Sequence, residues 1–178
     1  LESGADDFLT KPVNDIALLA RVRTLVRLKT MEDEWRLREE TSNKLGLSSD
    51  DIPGSDELMK GARVLVIEDD AGDAKLIEEG LSEIYEVTVE PDGDKAIELA
   101  HEEDFDVVIV SLMHLKSDGL RLCSQLRTTE NTRQMSLLGL IAADDTDTLV
   151  KAFEIGINDY LVKPIDKNEL RARAKTQV

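Results

Sequence analysis

Cysteine is almost missing from this chain: Cys123 is the only one in 178 residues. One thiol cannot close a disulfide within the chain and cannot by itself build a metal cluster. It lies in Gly-Leu-Arg-Leu-Cys-Ser-Gln-Leu, a stretch patterned as helix, so it reads as a buried, inert thiol. Long apolar runs are missing too. None approaches the ~20 residues a membrane-spanning helix needs, and no signal peptide is visible. Positive charge is scarce, with 22 Lys and Arg against 38 Asp and Glu and a formal net charge of −16. Such a balance disfavours direct binding to nucleic acid or anionic membrane, both polyanions. Disorder is not implied, because 41% of residues are apolar and they are patterned. The expectation is a soluble, cytoplasmic, globular protein with room for one full domain and part of a second. The first residue is Leu rather than Met, which suggests a piece of something longer.

What the chain does have is an internal echo. Leu-Glu-Ser-Gly-Ala-Asp-Asp-Phe-Leu-Thr-Lys-Pro-Val-Asn-Asp, starting at Leu1, returns as Phe-Glu-Ile-Gly-Ile-Asn-Asp-Tyr-Leu-Val-Lys-Pro-Ile-Asp-Lys, starting at Phe153. The register continues behind each copy, where Leu18, Ala20, Arg21 and Thr24 meet Leu170, Ala172, Arg173 and Thr176. Shared Gly, Asp, Leu and Lys-Pro at one constant offset indicate duplication. Residues 1–27 then read as the strand–helix remnant of a first domain, 28–60 as a helical extension and linker, and 61–178 as a second, complete domain. Residues 1–13 lack the sheet they should edge, so they are expected to be irregular or paired with another chain. A long helix is expected from about Asn14. Leu18, Val22, Leu25, Leu28 and Trp35 give it an apolar stripe that either caps its own domain or pairs with a neighbour. Residues 46–60, rich in Gly, Ser, Asp and Pro, read as a flexible linker.

From Arg63 onward strands and helices alternate. Apolar runs at Val64–Ile67, Asp106–Val110, Leu137–Ala142 and Tyr160–Val162, with an alternating stretch at Tyr85–Val89, predict five strands. Helices are expected around Ala74–Leu81, from Gly93, and over Leu120–Leu126, Thr146–Ile155 and Asp166–Gln177. Buried strands joined by crossover helices imply an α/β fold with a parallel sheet covered on both faces. Right-handed crossovers give the doubly wound order 2-1-3-4-5, whose ligands gather at the carboxyl ends of strands one and three. Glu68, Asp69 and Ser111 fall there.

At these residues the chain resembles a family. Arg-Val-Leu-Val-Ile-Glu-Asp-Asp, a third strand leading to Asp118-Gly119, and Asp159-Tyr160-Leu161-Val162-Lys163-Pro164 are similar to the receiver domain of bacterial response regulators, a flavodoxin-like fold. In that family an acidic pair after strand one holds Mg²⁺ and an aspartate ending strand three accepts the phosphoryl group. A Thr or Ser ending strand four and a lysine after strand five contact the phosphoryl oxygens. A carboxylate can attack phosphorus only if a divalent ion and a cation neutralise the incoming charge.

The resemblance assigns Glu68 and Asp69 to the acidic pair and Lys163 to the lysine, with Lys163-Pro164 implying a cis peptide bond. Ser111 stands in the acceptor position, Ala142 in place of the strand-four hydroxyl, and Leu115-Lys116 in place of the usual Pro-Gly. A serine hydroxyl without a base is a poor nucleophile, so Ser111 marks a degenerate acceptor and no catalytic residue is assigned. Asp70 reads as a solvated or helix-capping residue and His114 as a surface histidine. No cofactor is required, although Glu68 and Asp69 could hold Mg²⁺ or Ca²⁺ weakly. Lys11 and Pro12 carry the same motif in the upstream copy.

Two receivers in tandem, the second degenerate, resemble the PleD-type response regulators, in which a diguanylate cyclase domain follows. The resemblance implies a non-phosphorylatable adaptor whose partners are an upstream receiver and, as a homodimer, a second copy, with a sensor kinase acting through the first receiver. A divalent-cation sensor and a residual phosphoacceptor are the rival readings.

Overall fold

The computed structural model describes residues 61–113, 118–143 and 145–178, together with Asp15, Leu18, Leu19, Val22, Val26 and Lys29. The chain divides into two units, Leu1–Leu58 and Met59–Val178. In the first, the six described residues are all helical and exposed, in keeping with a helix over that stretch. The expectations for residues 1–13, for the linker at 46–60 and for Lys11 and Pro12 lie outside the described residues.

The second unit alternates strictly. Its strands are β1 (Arg63–Ile67), β2 (Glu86–Val89), β3 (Val107–Ser111), β4 (Ser136–Ala142) and β5 (Asp159–Lys163). Each is followed by a helix: α1 (Ala71–Leu81), α2 (Gly93–Glu102), α3 (Gly119–Thr128), α4 (Thr146–Ile155) and α5 (Lys167–Gln177). All neighbouring strands are parallel, in the order β2-β1-β3-β4-β5. That is the doubly wound arrangement expected from the crossover rule.

Strand periodicity divides the core. Val64, Val66, Val107, Ile109, Leu138, Leu140 and Leu161 share one buried cluster with Ile77 and Leu81 of α1 and Leu170 and Ala174 of α5. The alternate positions Leu65, Ile67, Val108, Val110 and Ile141 are also buried, and point to the opposite face. There α2 packs beside α3 and α3 beside α4. Both faces of β1 and β3 are therefore covered, which is why these strands read as unbroken apolar runs.

Several element boundaries differ from the sequence expectation, for identifiable reasons. Helix α1 begins at Ala71, three residues early, because Asp70 caps it by accepting the Gly72 and Asp73 N–H groups at 2.9 Å each. Asp92, Asp118, Asp145 and Asp166 cap the other four helices in the same way. Tyr85 is excluded from β2 because its N–H closes onto the Leu81 carbonyl at the end of α1. Helix α3 starts at Gly119, pressed against the end of β3. A Cβ there would lie 2.9 Å from the Leu112 Cα, so only glycine fits.

Cys123 is fully buried on α3, and burial pushes its thiol pKa up to about 12, as an inert thiol requires. No helix among the described residues is long and apolar enough to cross a membrane.

Candidate functional site: a self-occupied acidic pocket

The carboxyl ends of four strands converge on one edge of the sheet. Glu68 follows β1, Ser111 closes β3, Ala142 closes β4 and Lys163 closes β5, with Ala142 and Lys163 in direct register. The Lys163–Pro164 peptide is cis. Three strand spacings, about 14 Å, separate β1 from β5. A bond between their ends needs both side chains to reach inward over β3 and β4.

That bond is present. The Lys163 ammonium donates to Glu68 Oε2 at 2.6 Å, and the Glu68 side chain is only 1% exposed. The other Glu68 oxygen accepts the Asp70 N–H at 3.0 Å, so both carboxylate oxygens are engaged by the chain itself. A second carboxylate, Asp73 on the first turn of α1, lies 2.9 Å from the same ammonium. Partial burial works against the lysine charge. The hydrogen bonds it donates to Asp73 and Glu68 outweigh that penalty and place its pKa above the ordinary lysine value. Asp70 lies below the ordinary carboxylate value, chiefly because it accepts the Asp73 N–H.

Ser111 is wholly buried, and its hydroxyl donates to the Met113 carbonyl at 2.8 Å. This geometry directs the Oγ proton into the β3–α3 loop. Asp69 and Ala142 are half-buried. His114, Leu115 and Lys116 lie outside the described residues. Among the described residues no group of three or more His, Cys, Asp or Glu side chains is placed to hold a metal ion.

The residue that sequence reading missed is Asp73. The signal was faint: one more acid in a chain with many, recognisable only because it follows Asp69 by one helical turn. A buried ion pair also escaped notice. Arg173 donates to Asp159 at 2.7 Å and to Glu169 at 2.8 and 2.9 Å, with Arg173 only 2% exposed. Its sequence signal was the echo, since Asp7 and Arg21 occupy the matching places in the upstream copy.

A doubly wound parallel sheet with an acid–lysine contact over the ends of its central strands is the architecture of a phosphoryl-receiving signalling domain. Residues 64–175 match the response regulator receiver domain family, and the chain belongs to that family, whose members serve two-component signal transduction. Response regulator PleD of Caulobacter vibrioides is 42% identical over 178 residues, covering all of this chain and 38% of that protein. The DNA-binding dual master transcriptional regulator RpaA of Synechocystis is 34% identical over 114 residues, 64% of this chain and 47% of that protein. This chain thus spans well under two thirds of either relative.

Among solved structures, the receiver domain of a Pseudomonas aeruginosa sensor histidine kinase, crystallised with magnesium coordinated in its active-site cleft, superposes with a TM-score of 0.61 at 27% identity. The superposition covers 66% of this chain and 97% of that one. Chemotaxis response regulator CheY4 of Vibrio cholerae, at 22% identity and a TM-score of 0.63, shares the fold over 67% of this chain and all of its own.

Proposed function

We propose that residues 61–178 form a pseudo-receiver: a receiver-shaped adaptor that passes on the state of an upstream receiver through its surfaces and accepts no phosphoryl group itself. The observation that carries this reading is Ser111, buried at the end of β3 with its hydroxyl turned to the Met113 carbonyl. An acceptor there needs a carboxylate, a general acid–base partner or a bound cation, and the neighbouring Ala142 supplies no hydroxyl. Glu68, which would ligate Mg²⁺ in an active site, already spends both oxygens on Lys163 and the Asp70 N–H. That argues against a divalent-cation sensor built on Glu68 and Asp69.

The upstream partner in this reading is a first receiver, addressed by a sensor kinase, of which residues 1–27 with Lys11 and Pro12 are the tail. Support comes from the internal echo and from the PleD match, which runs over residues 1–60 as well as the receiver. By the same resemblance, the protein works as a homodimer and carries a diguanylate cyclase as its output.

Adding beryllofluoride and Mg²⁺ to the isotope-labelled protein and recording amide spectra tests this. No shift around Ser111, Glu68 and Lys163 is expected. Large shifts requiring both reagents would overturn the adaptor reading in favour of a working receiver. Shifts with Mg²⁺ or Ca²⁺ alone would replace it with a cation sensor.

A further inference from the structure

We infer that Asp73 is a positioning residue that has taken over the lost acceptor's hold on Lys163, so that the pocket is a permanent clasp between α1 and β5. The inference rests on the pseudo-receiver reading and deepens it, by naming what occupies the emptied site. A lysine ammonium offers three donors and no acceptor. One reaches Glu68 at 2.6 Å and another reaches Asp73 at 2.9 Å.

Asp73 is itself fixed. Its backbone N–H is tied to Asp70 Oδ1 at 2.9 Å, the Asp70 N–H is tied to Glu68, and Glu68 returns to Lys163. The four residues close a ring in which the β1–α1 turn grips the end of β5. Ser111, whose hydroxyl is engaged with its own loop, supplies no charge to this ring.

The consequence concerns what restoring the acceptor would achieve. An incoming phosphoryl group needs the Lys163 ammonium. Two of its three donors are held by Glu68 and Asp73, and the negative charge of Asp73 opposes a second anion at the same place. Returning a carboxylate to position 111 therefore restores only weak binding while Asp73 stands. A carboxylate built into α1 holds the clasp closed.

The test compares beryllofluoride affinity in Mg²⁺, read by ¹⁹F NMR, for the unaltered protein, S111D, D73N and S111D/D73N. S111D/D73N is expected to bind at least tenfold tighter than S111D, while the unaltered protein and D73N do not bind. Equal affinity in the two S111D variants, or binding by neither, overturns the clasp. Binding by the unaltered protein overturns instead the pseudo-receiver reading.

A second measurement keeps the native Ser111. The ¹⁵Nζ resonance of Lys163 should move in D73N and return in D73E, with far-ultraviolet circular dichroism confirming the fold. A resonance indifferent to D73N also overturns the clasp.

Discussion

Strand β5 carries an ionic cluster at each end, and the two are built on opposite terms. At its start, Asp159 meets Arg173 at 2.7 Å with side chains 6% and 2% exposed. At its end, Lys163 meets Glu68 and Asp73 with the lysine 16% and Asp73 28% exposed. The first cluster is sealed between β5 and α5, and its Asp and Arg recur in the upstream copy as Asp7 and Arg21. The second opens on the strand ends where the family does its chemistry, and is assembled from a residue, Asp73, that the family motif does not include. One end of the strand rests on residue types that recur in the internal echo. The other pairs Lys163 with an acid from the first turn of α1. Charge that is buried and paired specifies how an element sits, while charge at an open edge is free to change its role.

The sharpest way to break this contrast is to remove the sealed cation. Burial works against the Arg173 charge, but Asp159 and Glu169 outweigh it and raise its pKa. Arg173→Met leaves Asp159 in the interior without its counter-ion, which typically costs about 3–5 kcal/mol. Removing both charges with Arg173→Met and Asp159→Asn should recover much of the loss, since the carboxylate left behind, Glu169, is partly exposed to solvent. Urea unfolding of the two variants measures this. A single variant within about 1 kcal/mol of the parent would show the pair to be ornamental.

At the open end the same operation should do much less. Asp73→Asn removes a charge from a partly exposed pair whose lysine keeps Glu68, so the expected loss is below about 1 kcal/mol. It should shrink further when salt is raised, because solvent-accessible pairs are screened. A loss equal to that of Arg173→Met, and insensitive to salt, would erase the distinction between the two ends.

How far each cluster could be read from the sequence follows the same division. The strands and the burial of Cys123 follow from local periodicity, the sheet order from the crossover rule, and the choice of Glu68, Ser111, Ala142 and Lys163 at the strand ends from the family resemblance, and the structure places them there. Asp73 escaped because its role depends on a lysine 90 residues away that the chain brings back only through four crossovers. Asp159 escaped because one residue in an apolar run gives no sign of a partner on the following helix. The early starts of α1 and α3 were hidden by side chains, Asp70 and Asp118, that satisfy N–H groups before the apolar pattern begins. Local period gives the layers, whereas long-range charge pairing is settled only by the folded neighbours.

Acid should act on the open end by a smaller effect. The Asp70 carboxyl at the open end is held below 3.8, first by the Asp73 N–H and then by the Gly72 N–H. Asp145, which caps α4 just past the end of β4, is held low by the Thr148 side chain and backbone. A carboxyl whose pKa is lower folded than unfolded binds fewer protons in the folded state. Its stabilisation is complete above the unfolded value, near 3.8, and is lost as the pH falls through the lower folded value. Amides of Gly72, Asp73 and Thr148 should therefore shift in this acidic window. Asparagine caps a helix about as well as aspartate and does not titrate. Asp70→Asn with Asp145→Asn should leave neutral-pH stability near that of the parent and flatten the acid limb of the urea midpoint against pH. An acid limb of unchanged steepness would move the titration away from the caps and onto carboxylates elsewhere in the domain.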